Sequence, residues 1–338
     1  MPPAFRKRGS EVIKMPDLRL GILDQSPIPE GSSAGDALRN SIDLARLADG
    51  LGYTRYWVAE HHGTRGLACA SPEALIGPIA AATSRLRVGS GGIMLPHYSP
   101  LKVAETFSML SGLFPGRIDL GIGRAAGTTP KVAFALQRDR RQAAPDDFRE
   151  QLDELLNYLG NRTQFRFESP ELWLLGSSQD SAVWAAELGL PYAFADFINP
   201  NGAQLARYYR QQFTAADQRP SPRTAVAAWA ICAETDAEAE RLSLSFRMMM
   251  TLLFRGQSIQ VPTVEHAQRF LEEEKLLPDQ VPAGRRIITG TPARVREAIE
   301  AVARSYEAAE VLIVNILHDH AARRRSYELI AKEFGMDN

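Results

Sequence analysis

Cysteine is nearly absent: Cys69 and Cys232 are the only two in 338 residues. That count excludes a disulfide scaffold and any zinc or iron–sulfur site built on four cysteines. Long apolar runs are missing too, since none approaches the ~20 residues a helix needs to cross a bilayer. Nor is one sign of charge in excess, with 39 Lys and Arg against 40 Asp and Glu and a net charge of -1. That balance favours neither nucleic acid nor an anionic membrane as a partner. What remains, 45% hydrophobic and 23% charged, is ordinary globular composition.

Residues 1–17 are basic, with no apolar segment, and do not read as a secretory signal. They are expected to form a short disordered tail, or to precede a true start at Met15. A transit peptide is the weaker alternative. From Leu18 onward, strand-like apolar runs alternate with helical patterns. The strand-like runs are 18–23, 55–59, 86–95, 118–122, 172–175, 192–195, 224–232 and 311–316. Between them, residues 36–51 set Leu38, Ile42, Ala45, Leu47 and Leu51 near one face, the helical period. Further helices are expected over 72–83, 100–113, 148–159, 181–188, 202–213, 236–253, 292–304 and 321–334. Ser71-Pro72 and Thr291-Pro292 are cap-and-N1 signals.

Eight strands, each followed by helix, predict an α/β protein with a parallel sheet. The count points to a (β/α)8 TIM-type barrel in one domain, residues 18–338; a doubly wound sheet is the alternative. Such a barrel takes about 250 residues, which leaves roughly 90 to place. Beyond the tail, the surplus falls in 124–147 and 255–286, after strands four and seven. These read as long insertions at the C-terminal face, where barrels build their sites.

Four motifs have chemical potential. Glu60-His61-His62 closes strand two, where a histidine can serve as acid, base or donor near neutral pH. The plainer alternative is a loop histidine bonded to backbone. A metal held by His61, His62, His318 and His320 is the alternative reading, but neither cluster has a familiar ligand spacing. In Gly89-Ser90-Gly91-Gly92, three glycines in four residues mark either a packing bend or a ligand's close approach. Asp119-Leu120-Gly121-Ile122-Gly123-Arg124-Ala125-Ala126-Gly127 superficially suggests a dinucleotide fingerprint, but its glycine spacing and context are wrong. Arg124 there suits a phosphate or anionic ring, or else a rim salt bridge. Gly176-Ser177-Ser178 opens a helix and can cradle an anion, or simply cap it.

Taken together these residues resemble the bacterial luciferase-like flavin monooxygenases. The matching stretches are Glu60-His61-His62, Gly89-Ser90-Gly91-Gly92, Leu95-Pro96 with Ser99-Pro100, the run from Phe114 to Arg124, Leu174-Leu175-Gly176-Ser177-Ser178, and Gly290-Thr291-Pro292. Asp24 and the run from Pro27 to Ser33 place it nearest the single-chain, YhbW-like branch. The resemblance implies a barrel that holds reduced FMN (FMNH2) at its C-terminal face. It implies Glu60, Gly91, Gly92, Arg124, Gly176, Ser177 and Ser178 as cofactor contacts, Arg124 and the serine turn taking the phosphate. It implies His61 as the catalytic residue and a cis peptide at Gly91-Gly92. His97 and Tyr98, after strand three, are expected near the substrate, with ordinary loop packing as the alternative.

The implied activity is oxygenation of a small organic substrate by reduced flavin and O2. No NAD(P)H site is recognisable, so a separate NAD(P)H:flavin reductase is the expected partner, and a cytoplasmic homodimer the expected form. F420-dependent hydride transfer, a non-catalytic flavin-binding protein and a metal-dependent hydrolase are the alternatives. Residues 245–255 are rich in Met, Leu and Phe. They read first as a buried or dimer-facing helix and second as the wall of an apolar substrate pocket.

Overall fold

The computed structural model describes residues 18–124, 129–137, 146–160, 168–215 and 219–336. The expected N-terminal tail, Ala125–Gly127 of the third motif and much of stretch 124–147 lie outside them. Nine parallel strands form one sheet: β1 (Arg19–Asp24), β2 (Arg55–Val58), β3 (Arg87–Met94), β4 (Ile118–Gly123), β5 (Glu171–Gly176), β6 (Tyr192–Ala195), β7 (Thr224–Cys232), β8 (Ile287–Gly290) and β9 (Glu310–Val314). The ring runs β1 to β7 and then β9, which pairs back with β1. Eight strands thus close a TIM-type barrel, as the strand count implied.

The ninth strand corrects the sequence reading, which had no strand at 287–290. β7 is long enough to pair twice. Ala225–Trp229 face β9 and complete the barrel, while Trp229–Cys232 continue upward and carry β8. β2 and β6 are equally short, but β8 has only Ile287 and Ile288 before Thr289 and Gly290, so no apolar run marks it.

Helices α1 (Ala34–Gly50), α2 (Pro72–Ala81), α3 (Pro100–Leu113), α4 (Pro130–Leu136), α5 (Phe148–Gly160), α6 (Gln179–Glu187), α7 (Ala203–Gln211), α8 (Asp236–Phe254), α9 (Val264–Glu273), α10 (Pro292–Tyr306) and α11 (His320–Glu333) follow the predicted order. Two were not foreseen: α4 within 124–147 and α9 within 255–286. Both surplus stretches therefore contain folded structure. Local chemistry sets several helix starts. Ser33 and Asp36 form a reciprocal capping box on α1, and Thr235 and Thr263 cap α8 and α9 by accepting backbone N–H groups.

Strand alternation divides the barrel into two apolar zones. Leu20, Ile22, Tyr56, Val58, Val88, Leu120 and Ile313 point outward against the helices. Leu23, Trp57, Trp173, Ala227, Leu312 and Val314 fill the interior. Cys69 and Cys232 are buried, free thiols.

Below the tryptophans lies a charged layer. Arg55 donates to Asp119 at 2.6 Å and to Glu310 at 2.8 Å, bridging β2 to β4 and β9. Arg87 reaches the other Asp119 oxygen through Nε at 2.8 Å, and the Trp57 indole donates to Asp119 at 2.9 Å. Arg55 also lies 4.7 Å from the Trp173 ring centroid. The layer occupies the N-terminal end of the barrel and leaves the C-terminal end open. Truncating one member would strand the opposite charge out of water. Asp119→Ala is expected to destabilise the fold by about 3–5 kcal/mol, measured as a lower urea midpoint. An unchanged midpoint would show that the layer contributes nothing to stability.

Candidate active site

The open end contains a cavity of about 370 Å³. Seven residues named from the sequence as cofactor contacts meet in its wall, together with His61: Glu60, Gly91, Gly92, Arg124, Gly176, Ser177 and Ser178. They come from the ends of β2, β3, β4 and β5 and are brought together by barrel closure.

The glycines of β3 are required both by packing and by the cavity. A Cβ on Gly91 would lie 2.4 Å from Leu23, and one on Gly92 would lie 2.7 Å from the Gly121 carbonyl. The register against β4 shifts between Ser90 and Ile93. The two glycines thus present bare backbone to the cavity, and the peptide bond joining them is cis.

Across the cavity, α6 points its N-terminus at the space. Ser178 caps it, accepting from Ser181 N at 3.5 Å, while the Ser177 hydroxyl bonds no protein atom among the described residues. Asn199, after β6, donates to the Ser177 carbonyl at 3.1 Å and holds the turn. Arg124 sits at the rim, 3.1 Å from Asp180 and 5.3 Å from the Trp184 ring centroid. Oriented amides, a free hydroxyl and a guanidinium suit an anion such as a phosphate.

Glu60 lines the cavity and also has a structural role. Its carboxylate accepts from Met94 N at 3.0 Å, from the Tyr98 hydroxyl at 3.0 Å and from His62 Nε2 at 2.6 Å. It ties the end of β2 to the segment after the glycines and positions the cavity floor. Tyr98 and His97 do not line this cavity. Tyr98 stands behind Glu60, its hydroxyl pKa raised by burial and by the Glu60 charge. His97 lies edge-on to His62, with ring centroids 6.0 Å apart. His318 bonds the Glu30 carbonyl and His320 the Asp43 carboxylate, so neither joins His61.

The His61 imidazole has Nδ1 enclosed without a hydrogen-bond partner, which leaves Nε2 as the nitrogen open to the cavity. Burial, and then the neighbouring His62, push its pKa down to about 4. The ring is therefore neutral across the physiological range.

A second cavity of about 300 Å³ adjoins the first. Gln25, His61, Phe197 and Ile198 line both. Met249, Met250, Leu253 and Phe254 of α8 wall the second, so the reading of 245–255 divides. Phe246, Met248 and Leu252 are buried core, as favoured, while the other four form a pocket wall. Sequence reasoning missed Gln25, Phe197 and Trp184. The first two follow the C-terminal ends of β1 and β6, the position that singled out His61. Trp184 lies on α6, beyond the serine turn.

The sequence profile of the luciferase-like monooxygenases matches residues 18–308. The chain belongs to this family. Among its relatives is a luciferase-like monooxygenase from Escherichia coli strain K12, 38% identical over 322 residues, covering 92% of this chain and 96% of that one. As a luciferase-like monooxygenase the chain superposes on apo-MsnO8 with a TM-score of 0.86 at 41% identity, covering 94% of this chain and 98% of the other. The fold also matches the oxygenating constituent of 3,6-diketocamphane monooxygenase from Pseudomonas putida in complex with FMN. There the TM-score is 0.71 at 21% identity, with 94% and 98% of the two chains covered.

The depressed His61 pKa carries a consequence for stability. Between its ordinary pKa of 6.5 and about 4, the unfolded chain binds a proton at His61 that the folded chain does not. Its contribution is complete above pH 6.5 and is lost as pH falls toward 4. His61→Gln is expected to narrow the gap in unfolding free energy between pH 7 and pH 5, read from urea titrations. A gap of unchanged size would show that His61 is charged in the fold.

Proposed function

We propose that this luciferase-like monooxygenase binds reduced FMN in the first cavity and uses O2 to oxygenate a small organic substrate held in the second. The convergence of bare glycine backbone, the α6 N-terminus and Arg124 on one cavity carries this reading. The residues fit a flavin phosphate: the Ser177 hydroxyl has no partner among the described residues, and Arg124 is held at the same rim by Asp180 and Trp184. Gly91 and Gly92 give the cavity a floor of bare backbone, at positions where a Cβ would clash with Leu23 and with the Gly121 carbonyl. A protein of the same fold is solved in complex with FMN, which supports a flavin here, while an F420-dependent secondary alcohol dehydrogenase shares the fold with a TM-score of 0.62.

When bound, reduced flavin supplies the two electrons that activate oxygen. The protein supplies the rest. Trp57, Leu175, Phe194 and Phe197 exclude water from the cavity. Neutral His61 holds or releases a proton at Nε2, at the junction with the second cavity. Glu60 keeps the floor in register through Met94 N. A separate NAD(P)H:flavin reductase delivers the reduced cofactor, and the working form is a homodimer.

The test compares binding and turnover. Arg124→Ala is expected to raise the FMN Kd about tenfold, the loss of one charge-assisted contact. His61→Ala should leave the Kd within about threefold and lower oxygen-dependent product formation by roughly 100-fold or more. The opposite pattern would overturn both roles. A parallel titration with the deazaflavin F420 decides between cofactors: tighter binding of F420 than of FMN would replace oxygenation with hydride transfer.

A further inference from the structure

The second cavity is walled by apolar side chains, with Trp229, Leu67 and Ile316 facing the α8 residues. One formally charged residue lines it, Arg285. This guanidinium is half-buried and stacks over the Phe254 ring with 5.2 Å to the centroid. Its neighbours are all paired: Arg247 with Glu240, Arg255 with Glu274 and Arg286 with Asp196. Arg285 has no carboxylate partner among the described residues, and no carboxylate lines this cavity. Gln25, His61, Thr64, Gln257 and Ser258 also line the chamber, but they are neutral, so a lone cation on an aromatic face beside the apolar α8 side chains is a receptor for an anion attached to an apolar body. The opposite end of the chamber is His61 and Gln25, shared with the first cavity.

We propose that the substrate is a small amphipathic acid: its carboxylate or similar anionic group pairs with Arg285, and its apolar body lies along Met249, Met250 and Leu253 toward His61. The assignment rests on the reading that the first cavity holds the flavin, since that is what makes the His61 end the reacting end. Arg285 is thus a specificity-determining residue and takes no part in the chemistry. The chamber volume of about 300 Å³ limits the ligand to a small molecule. Both sides of this receptor come from the chain between β7 and β8. The end of α8 supplies the apolar side, and the segment leading into β8 supplies the cation.

Isothermal titration of the full chain with 4-phenylbutyrate and its neutral isostere 4-phenylbutyramide tests this, with and without FMN. The unaltered protein is expected to bind the carboxylate about tenfold more tightly than the amide, one charge-assisted pair. Arg285→Gln should abolish that preference while leaving amide affinity within about twofold. Leu253→Trp, which narrows the chamber from a half-exposed position, should weaken both probes. Equal affinity for the two probes, a preference that survives Arg285→Gln, unchanged binding in Leu253→Trp, or no binding of either probe would each overturn the proposal. FMN affinity is read separately and should not change in Arg285→Gln. If FMN fails to bind the unaltered protein while the carboxylate preference follows Arg285, the flavin reading falls and the anion receptor stands.

Discussion

The contact on which the barrel depends is Arg55 between Asp119 and Glu310. Three strands that are not neighbours, β2, β4 and β9, meet through one guanidinium inside the ring. Buried charges are tolerated only when paired and hydrogen-bonded. Here Asp119 accepts from Arg55, Arg87 and the Trp57 indole, and two indole rings flank the cation. The layer closes the N-terminal end, and Trp57 and Trp173 pack on it edge to face. Any ligand space is consequently displaced to the other end. The position of the site follows from what fills the bottom of the barrel as much as from what lines the top.

At the open end the same economy recurs. Glu60 is a buried carboxylate beside the cavity, and its oxygens are occupied by Met94 N, Tyr98 and His62. That leaves His61 as the polar group of the pair that is free to act on a ligand. Burial keeps the ring neutral, the state in which one nitrogen can accept a proton. A neutral histidine at the junction of two apolar chambers, with an anion cradle at the far side of one, orders the site along a single axis. In the proposed function the cradle holds, the glycine floor supports, the histidine handles protons, and the second chamber admits the molecule to be changed.

The strand β7 links this axis to the outer wall. Its lower half is a barrel strand, while its upper half holds β8, and α8 returns across the top. Trp229 sits where the two halves meet, packed 4.3 Å from the Phe246 centroid and 5.4 Å from that of Phe197. The insertion after β7 is therefore anchored to the same strand that completes the ring, so the second chamber is built on rigid structure.

Much was legible in the sequence. Alternation of apolar runs with amphipathic segments marked eight strands and most helices, with α3, β6 and β7 placed to the residue. Those patterns are local, because each element must bury one face and its period records which. His61 and Arg124 were identifiable because the C-terminal end of a barrel strand is a defined place, whereas Glu60, Gly91 and Gly92 were assigned to the cofactor by the resemblance to the luciferase-like family. Only the tertiary structure decided the rest. Whether Glu60 touches a ligand or holds Met94 depends on three donors from distant parts of the chain. Whether the Met-rich end of α8 is core or pocket depends on which face β8 and α9 leave uncovered. Arg285 acquires meaning only from having no ion-pair partner among the described residues, and a sequence does not record what a side chain fails to meet.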